Sequence, residues 1–286
     1  MGVDAHLVVY APDQPTAERA CTAAFARIAA LDTIMSDYRP NSELMRLCDK
    51  AGGPPVRVSP DLFRVLSRAQ DVSRLSHGAF DITVGPLIAL WRKARKSGVL
   101  PDAAQIEQAR HLVGYENIQL DEHTRSVRLA LPGMKLDLGG IAKGYAADGA
   151  QRALKDHGVT RALVELGGDM VVSGPPPGTA GWKVRVPNAE KSQGPVDLFY
   201  SDCAIGTSGD TEQFAVIGGR RYSHVVDPRT GQALTNRVQV TLTARDGLTS
   251  DPLSTAISVL GGQDTDRLLA AYPGTKAFVR VLPLQY

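Results

Sequence analysis

The segment KLDLGGIAKGY, residues 135–145, combines a lysine with a glycine pair where a strand pattern passes into a helix pattern. A turn of this kind presents backbone N–H groups and the positive end of a helix dipole, an arrangement suited to an anion and above all to phosphate. Gly139 and Gly140 let the backbone approach a ligand closely. Lys143, in the first helical turn, can reach a phosphate as a point charge. The spacing is neither GxxxxGK[ST] nor GxGxxG. An ordinary strand–turn–helix with a surface lysine has the same pattern.

A second candidate is DPLST, residues 251–255. Asp251 reads as a helix N-cap followed by Pro252. Thr255, four residues on, lies on the same helix face as Asp251. A carboxylate and a hydroxyl so placed can share a hard cation such as Mg²⁺, although a capped helix with a packed threonine reads the same way. A third is His224, at the end of a strand pattern and just before the DPRTG turn. A histidine there suits a general base near neutral pH, or simply a hydrogen-bonded surface group. Tyr38 in a polar loop and the pair Phe80-Asp81 offer aromatic and carboxylate contacts to a heterocycle, or packing and exposure alone. ELGGD, residues 165–169, is only weakly informative. Asp148, Asp156 and His157 read as helix surface, and RKARKSG, from Arg92, as a solvated helix face. The remaining histidines share no metal-ligand spacing, and Cys21, Cys48 and Cys203 form no CxxC or zinc pattern.

The elements that must hold these residues follow from periodicity and caps. Helices are expected over 15–35, from Ser59-Pro60 to about Ser76, through Trp91, over PDAAQIEQAR, and over IAKGYAADGAQRALKDHG up to Gly158. Further helices are expected from Asp251-Pro252 to Gly261 and over 264–272. Strands are expected at His6 to Tyr10, on either side of Asp121, entering Gly139, before Gly167, and repeatedly through WKVRV, VDLFYSDCAIG, EQFAVIGG, YSHVVD and VQVTLTA, with a last one over 275–282. Helices and strands mix without strict alternation, which predicts an α+β fold in one domain over residues 1–286, with mixed, largely antiparallel sheets.

Composition narrows the function classes. The 286 residues hold 28 Gly and 18 Pro, about 16% together, against about 12% on average. That excess fits a turn-rich enzyme better than a helical bundle. A net charge of +2 argues against nucleic-acid binding on bulk electrostatics. No run of apolar residues is long enough to span a membrane.

The motifs in their order resemble one family. Met1-Gly2, MSDYRPNSEL, GAFDITVGPL, KLDLGGIAKGYAAD, ALVELGGD, TSGDTEQF, YSHVVDPRTGQAL and DPLSTAISVLG together are similar to the ApbE family of FAD:protein FMN transferases, over nearly the whole chain. The resemblance implies FAD as substrate, Mg²⁺ as cofactor, and transfer of FMN to a Thr or Ser of a redox protein with release of AMP. Some members hydrolyse FAD to FMN and AMP, and a non-catalytic FAD-binding protein is a further alternative. It implies metal ligands at the Gly140 carbonyl, Asp251 and Thr255, and FAD contacts at Met1, Tyr38, Ala79, Phe80, Asp81, Asp137, Lys143 and the Val226 backbone. It assigns chemistry to His224 as base, with Lys143 and Asp251. The expected acceptor motif is D-x-x-[ST]-G-A-[ST]. The nearest stretch here, Asp202 to Thr207, has Ile205 where the hydroxyl belongs, so no self-modification is expected there. The family is usually exported, often lipid-anchored. The chain opens without a signal-peptide pattern, so export is the expectation from resemblance and a cytoplasmic location the alternative.

Overall fold

The computed structural model describes residues 2–186, 196–209 and 214–282. In chain order, β1 (Ala5–Tyr10) leads into α1 (Gln14–Met35), α2 (Glu43–Cys48), β2 (Val56–Arg57) and α3 (Pro60–Leu75). A 3₁₀ turn, Ile82–Val84, introduces α4 (Gly85–Ser97), then α5 (Ala103–Arg110), β3 (Ile118–Asp121) and β4 (Ser126–Leu129). The central part is α6 (Ala142–Asp156), β5 (Arg161–Leu166), β6 (Asp169–Val172), β7 (Trp182–Val186), β8 (Val196–Tyr200) and β9 (Cys203–Gly209). The chain closes with β10 (Phe214–Ile217), β11 (Arg220–Ser223), β12 (Arg237–Ala244), α7 (Gly247–Leu260), α8 (Thr265–Ala270) and β13 (Lys276–Leu282).

Six strands form one sheet in the order β1-β5-β6-β9-β12-β13. Every adjacent pair is antiparallel. The period-2 rule divides β5 between two cores. Ala162, Val164 and Leu166 join the main core under the helices, while Leu163 joins Trp182, Val184 and Val186 on the opposite face. α6 packs on β5 and β6, α7 on β9 and β12, and α1 and α3 cover this pair. The α+β expectation therefore holds.

Local chemistry explains most boundaries. The Thr16 N–H donates to Asp13 at 2.8 Å ahead of α1, and Ser59 caps α3 with Pro60 at its first position. Gly98 (φ 70°) and Gly261 (φ 66°) close α4 and α7 in the left-handed conformation. Three expectations are corrected. α7 begins at Gly247, not at Asp251, because its first N–H groups are satisfied from another helix; Asp251 and Pro252 lie inside it. The segment entering Gly139, residues 134–138, forms no strand and joins no sheet, because it runs between β4 and α6 as a connector. The stretch VDLFYSDCAIG is two strands, parted at Asp202, whose φ of 51° breaks the extended run.

Candidate functional site

α6 and α7 cross at two glycines, and the crossing builds the site. A Cβ on Gly144 would stand 2.0 Å from the Gly247 carbonyl oxygen, and one on Gly247 would stand 2.2 Å from that of Gly144. Glycine inside a helix costs about 0.5–1 kcal/mol against alanine, and here it permits a backbone contact no other residue allows. Each helix also caps the other. Asp251 of α7 accepts the Gly144 N–H at 3.0 Å, in the first turn of α6. Asp148 of α6 accepts the N–H groups of Gly247 and Leu248 at 2.7 and 2.9 Å. Neither helix start has a side-chain cap of its own. These remote carboxylates supply partners for donors that would otherwise be orphaned.

Beside this crossing lies the lysine. Lys143 Nζ donates to the Gly139 carbonyl at 2.8 Å and to Asp251 Oδ1 at 3.1 Å, and stands 2.8 Å from Asp169 Oδ2. Asp169 Oδ1 accepts the Thr207 N–H at 3.1 Å, while Oδ2 has no hydrogen-bond partner beyond its ion pair with the ammonium. Both carboxylates are 2% exposed, against 19% for the lysine, so the cluster opens on its cationic side. Burial disfavours the ammonium, but the charges of Asp169 and Asp251 outweigh it and raise the Lys143 pKa. Burial and the Asp251 charge push Asp169 up to about 7, against the pull of Lys143.

The neighbouring turn completes the surroundings. Asp137 Oδ1 accepts the Gly139 N–H at 2.8 Å, and Oδ2 accepts from the Arg92 guanidinium at 2.9 Å. Burial and the Asp37 charge raise the Asp137 pKa, with Arg92 opposing. A Cβ on Gly140 would meet Thr255 Oγ1 at 3.0 Å and Phe80 Cε2 at 3.3 Å, so the glycine lets the turn lie against both. A backbone carbonyl, a carboxylate and a hydroxyl are all hard oxygen donors. Mg²⁺ is commonly held by one or two carboxylates, with waters and substrate phosphates filling the other positions. By donor type, Gly140, Asp251 and Thr255 could hold such an ion, with Asp251 also accepting from Lys143 and Gly144. Among the described residues no group of three or more His, Cys, Asp or Glu forms a closed metal cage.

Other expected residues take distinct places. Ala79 and Phe80 are buried. Asp81 spends its carboxylate internally, accepting from Thr83 N and Oγ1 at 2.8 and 2.7 Å and from Tyr115 N at 2.8 Å. Burial pushes it up to about 6 despite those bonds. Tyr38 is 65% exposed, with the Arg92 guanidinium 4.5 Å from its ring centroid. Val226 is buried and bridges Ala233. His224 is half-buried just after β11. Met1 lies outside the described residues.

α4 ties the His224 segment to the Asp137 turn. Its Trp91 ring lies 5.3 Å from that of Tyr222, two residues before His224, and its indole N–H donates to the Gly231 carbonyl at 2.8 Å. The next residue, Arg92, reaches Asp37, Asp137 and Tyr38. The solvated-face reading of RKARKSG is thus corrected at Arg92. Asp148 is corrected too, since it caps α7 instead of lying idle on the helix surface. Asp169 is the main omission among the site residues. For the crossing and the Asp148 cap, though not for Asp169, a readable signal existed: GYAAD at 144–148 and GLTSD at 247–251 repeat a Gly-x-x-x-Asp spacing.

Comparison with known proteins identifies the chain's family and relatives. The sequence model described as the ApbE family matches residues 1–279. An FAD:protein FMN transferase of Klebsiella pneumoniae is 35% identical over 262 residues, covering 91% of this chain and 80% of that protein. One of Vibrio cholerae is 33% identical over 232 residues, with coverages of 79% and 69%. Among solved structures, the flavin transferase ApbE from Vibrio cholerae superposes with a TM-score of 0.86 at 29% identity, covering 98% of this chain and 91% of that one. The ApbE protein from Thermotoga maritima gives a TM-score of 0.84 at 30% identity, with the same coverages.

Proposed function

The chain belongs to the ApbE family, and from that premise we propose that it transfers the FMN half of FAD to a Thr or Ser hydroxyl of an acceptor protein. The acceptor oxygen attacks the FMN-side phosphorus, the bond from that phosphorus to the bridging oxygen breaks, and AMP leaves with that oxygen. The observation that carries the reading is the lysine cluster. Lys143 is held protonated between two carboxylates, at the start of α6 and beside the Gly139-Gly140 turn.

Each residue then has a physical task. Lys143 offers positive charge to the phosphate on which negative charge develops, in a partly water-excluded setting where fixed charges act strongly. The Gly139-Gly140 turn lets the backbone approach the pyrophosphate. Asp137, fixed by Arg92 and by the Gly139 N–H, holds the shape of that turn. Tyr38 and Phe80 offer ring surface to the flavin. We assign to His224 the acceptor's proton. Mg²⁺, held by Gly140, Asp251 and Thr255, would neutralise phosphate charge as a Lewis acid. On family resemblance we place the reaction with exported redox proteins bearing a D-x-x-[ST]-G-A-[ST]-like motif.

The test is intact-mass measurement of a motif-bearing acceptor after incubation with FAD and Mg²⁺. The expected result is an FMN adduct with AMP formed in equal amount. AMP released at the same rate without acceptor, and no adduct, would instead favour FAD hydrolysis. Replacing His224 by Ala is expected to slow transfer about 10²–10⁴-fold while FAD affinity is retained; an unchanged rate removes its role as base.

A further inference from the structure

On the other side of the α6–α7 crossing lies a groove of about 890 Å³, within the roughly 300–1,000 Å³ typical of small-molecule sites. We propose that it is a second binding site, for a small molecule carrying two or more phosphate groups. None of Tyr38, Phe80, Lys143, Asp251 or Thr255 lines it, so it is separate from the transfer site.

Charge carries the argument. Arg64 and Arg68 come from α3, Arg152 and Lys155 from α6, Arg161 from β5, and Arg245 from just before α7. Four separate segments thus bring six cationic side chains to one concavity. Arg64, Arg152, Lys155, Arg161 and Arg245 make no ion pair with a carboxylate among the described residues. Three aspartates share the lining, Asp148, Asp202 and Asp246. Asp148 has already committed both oxygens to the N–H groups of α7. The balance is a local excess of positive charge in a chain whose net charge is only +2. A cleft lined by one sign of charge concentrates ligands of the other. Arginines in particular form paired hydrogen bonds to phosphate oxygens.

The groove also holds polar groups awaiting partners. Gln151 lines it with both its amide nitrogen and its amide oxygen buried and unpartnered, and Asp246 Oδ1 is in the same state. A buried polar atom without a partner costs about 1–3 kcal/mol. A phosphate oxygen would accept from the Gln151 amide nitrogen, while the two oxygens call for donors elsewhere on the ligand. Tyr145, Val159 and Leu248 supply apolar floor beneath them.

The probe is inorganic pyrophosphate, titrated calorimetrically into the full chain with saturating FAD and no Mg²⁺. The expected result is one pyrophosphate bound per chain, with affinity that falls as NaCl rises. The double variant Arg152→Ala/Arg245→Ala replaces two exposed side chains, so folding is not at stake. It is expected to weaken pyrophosphate at least about tenfold, the effect of losing two charge-assisted contacts, and to leave FAD affinity unchanged. Lys143→Met, titrated without FAD at a temperature where it is folded, is expected to retain pyrophosphate. No binding, binding unaffected by the double variant, or binding lost in Lys143→Met would each overturn the proposal.

Discussion

The two ends of the α6–α7 crossing are built alike and behave differently. At each, a glycine admits the other helix and an aspartate four residues later caps it. At one end Lys143 precedes the glycine; at the other Asp246 does. Asp251 therefore divides itself between an N–H and an ammonium, beside a second buried carboxylate. Asp148 gives both oxygens to backbone N–H groups and has Asp246 as a like-charged neighbour. Burial pushes Asp148 up to about 6 and Asp169 up to about 7. A raised carboxylate pKa thus fails to separate the structural end from the chemical end. A cation paired directly with the capping aspartate does.

Removing that cation should break the comparison most severely. Lys143→Met leaves Asp169 and Asp251 buried and facing each other, and breaking a buried ion pair from one side costs about 3–5 kcal/mol. Transfer should fall about 10²–10³-fold, the usual loss for a group that stabilises developing charge. Urea unfolding and steady-state rates measure the two effects. A variant with wild-type stability and rate would mean that the lysine is peripheral.

The shared part of the design is tested by Gly144→Ala. Its methyl group would sit 2.0 Å from the Gly247 oxygen, so the helices must part. The expected loss is about 1–3 kcal/mol, as for other overpacked sites, seen as a lower urea midpoint. A neutral effect would show that the crossing is looser than the structure requires.

The smallest expected effect is in pH dependence. The folded-state pKa of Asp148, about 6, lies above its ordinary value of 3.8. Between these values the folded chain binds more protons than the unfolded one, so this group's contribution to stability falls as pH rises from about 4 to about 6. Asp148→Asn removes that slope. Its stability deficit against the parent should be larger at pH 4 than at pH 7, by urea titration at each pH. An equal deficit at both would mean that the carboxylate titrates normally.

Much of the fold and site was legible where local chemistry decides. Ser59-Pro60 marked α3, alternation marked β12, and KLDLGGIAKGY marked the glycine turn ahead of α6. What escaped depends on contacts between distant segments. The true start of α7 was hidden because its cap, Asp148, lies 99 residues earlier. Asp169 looked like one end of a Gly-Gly turn because its partner, Lys143, sits on another element. Arg92 looked like one charge in a solvated run, since Asp37 and Asp137 flank it only in the folded chain. Side-chain caps within a few residues leave a sequence signature. Caps and ion pairs made across the fold leave only a residue type that fits several roles.

The most direct test sets the two capping aspartates against each other. A motif-bearing acceptor is incubated with FAD, Mg²⁺ and either Asp251→Asn or Asp148→Asn, at a temperature where both variants are folded, and its intact mass is followed over time. The account predicts an FMN adduct with Asp148→Asn at close to the parent rate, and a rate about 10²–10³-fold lower with Asp251→Asn. An adduct formed by Asp251→Asn at the parent rate would contradict it.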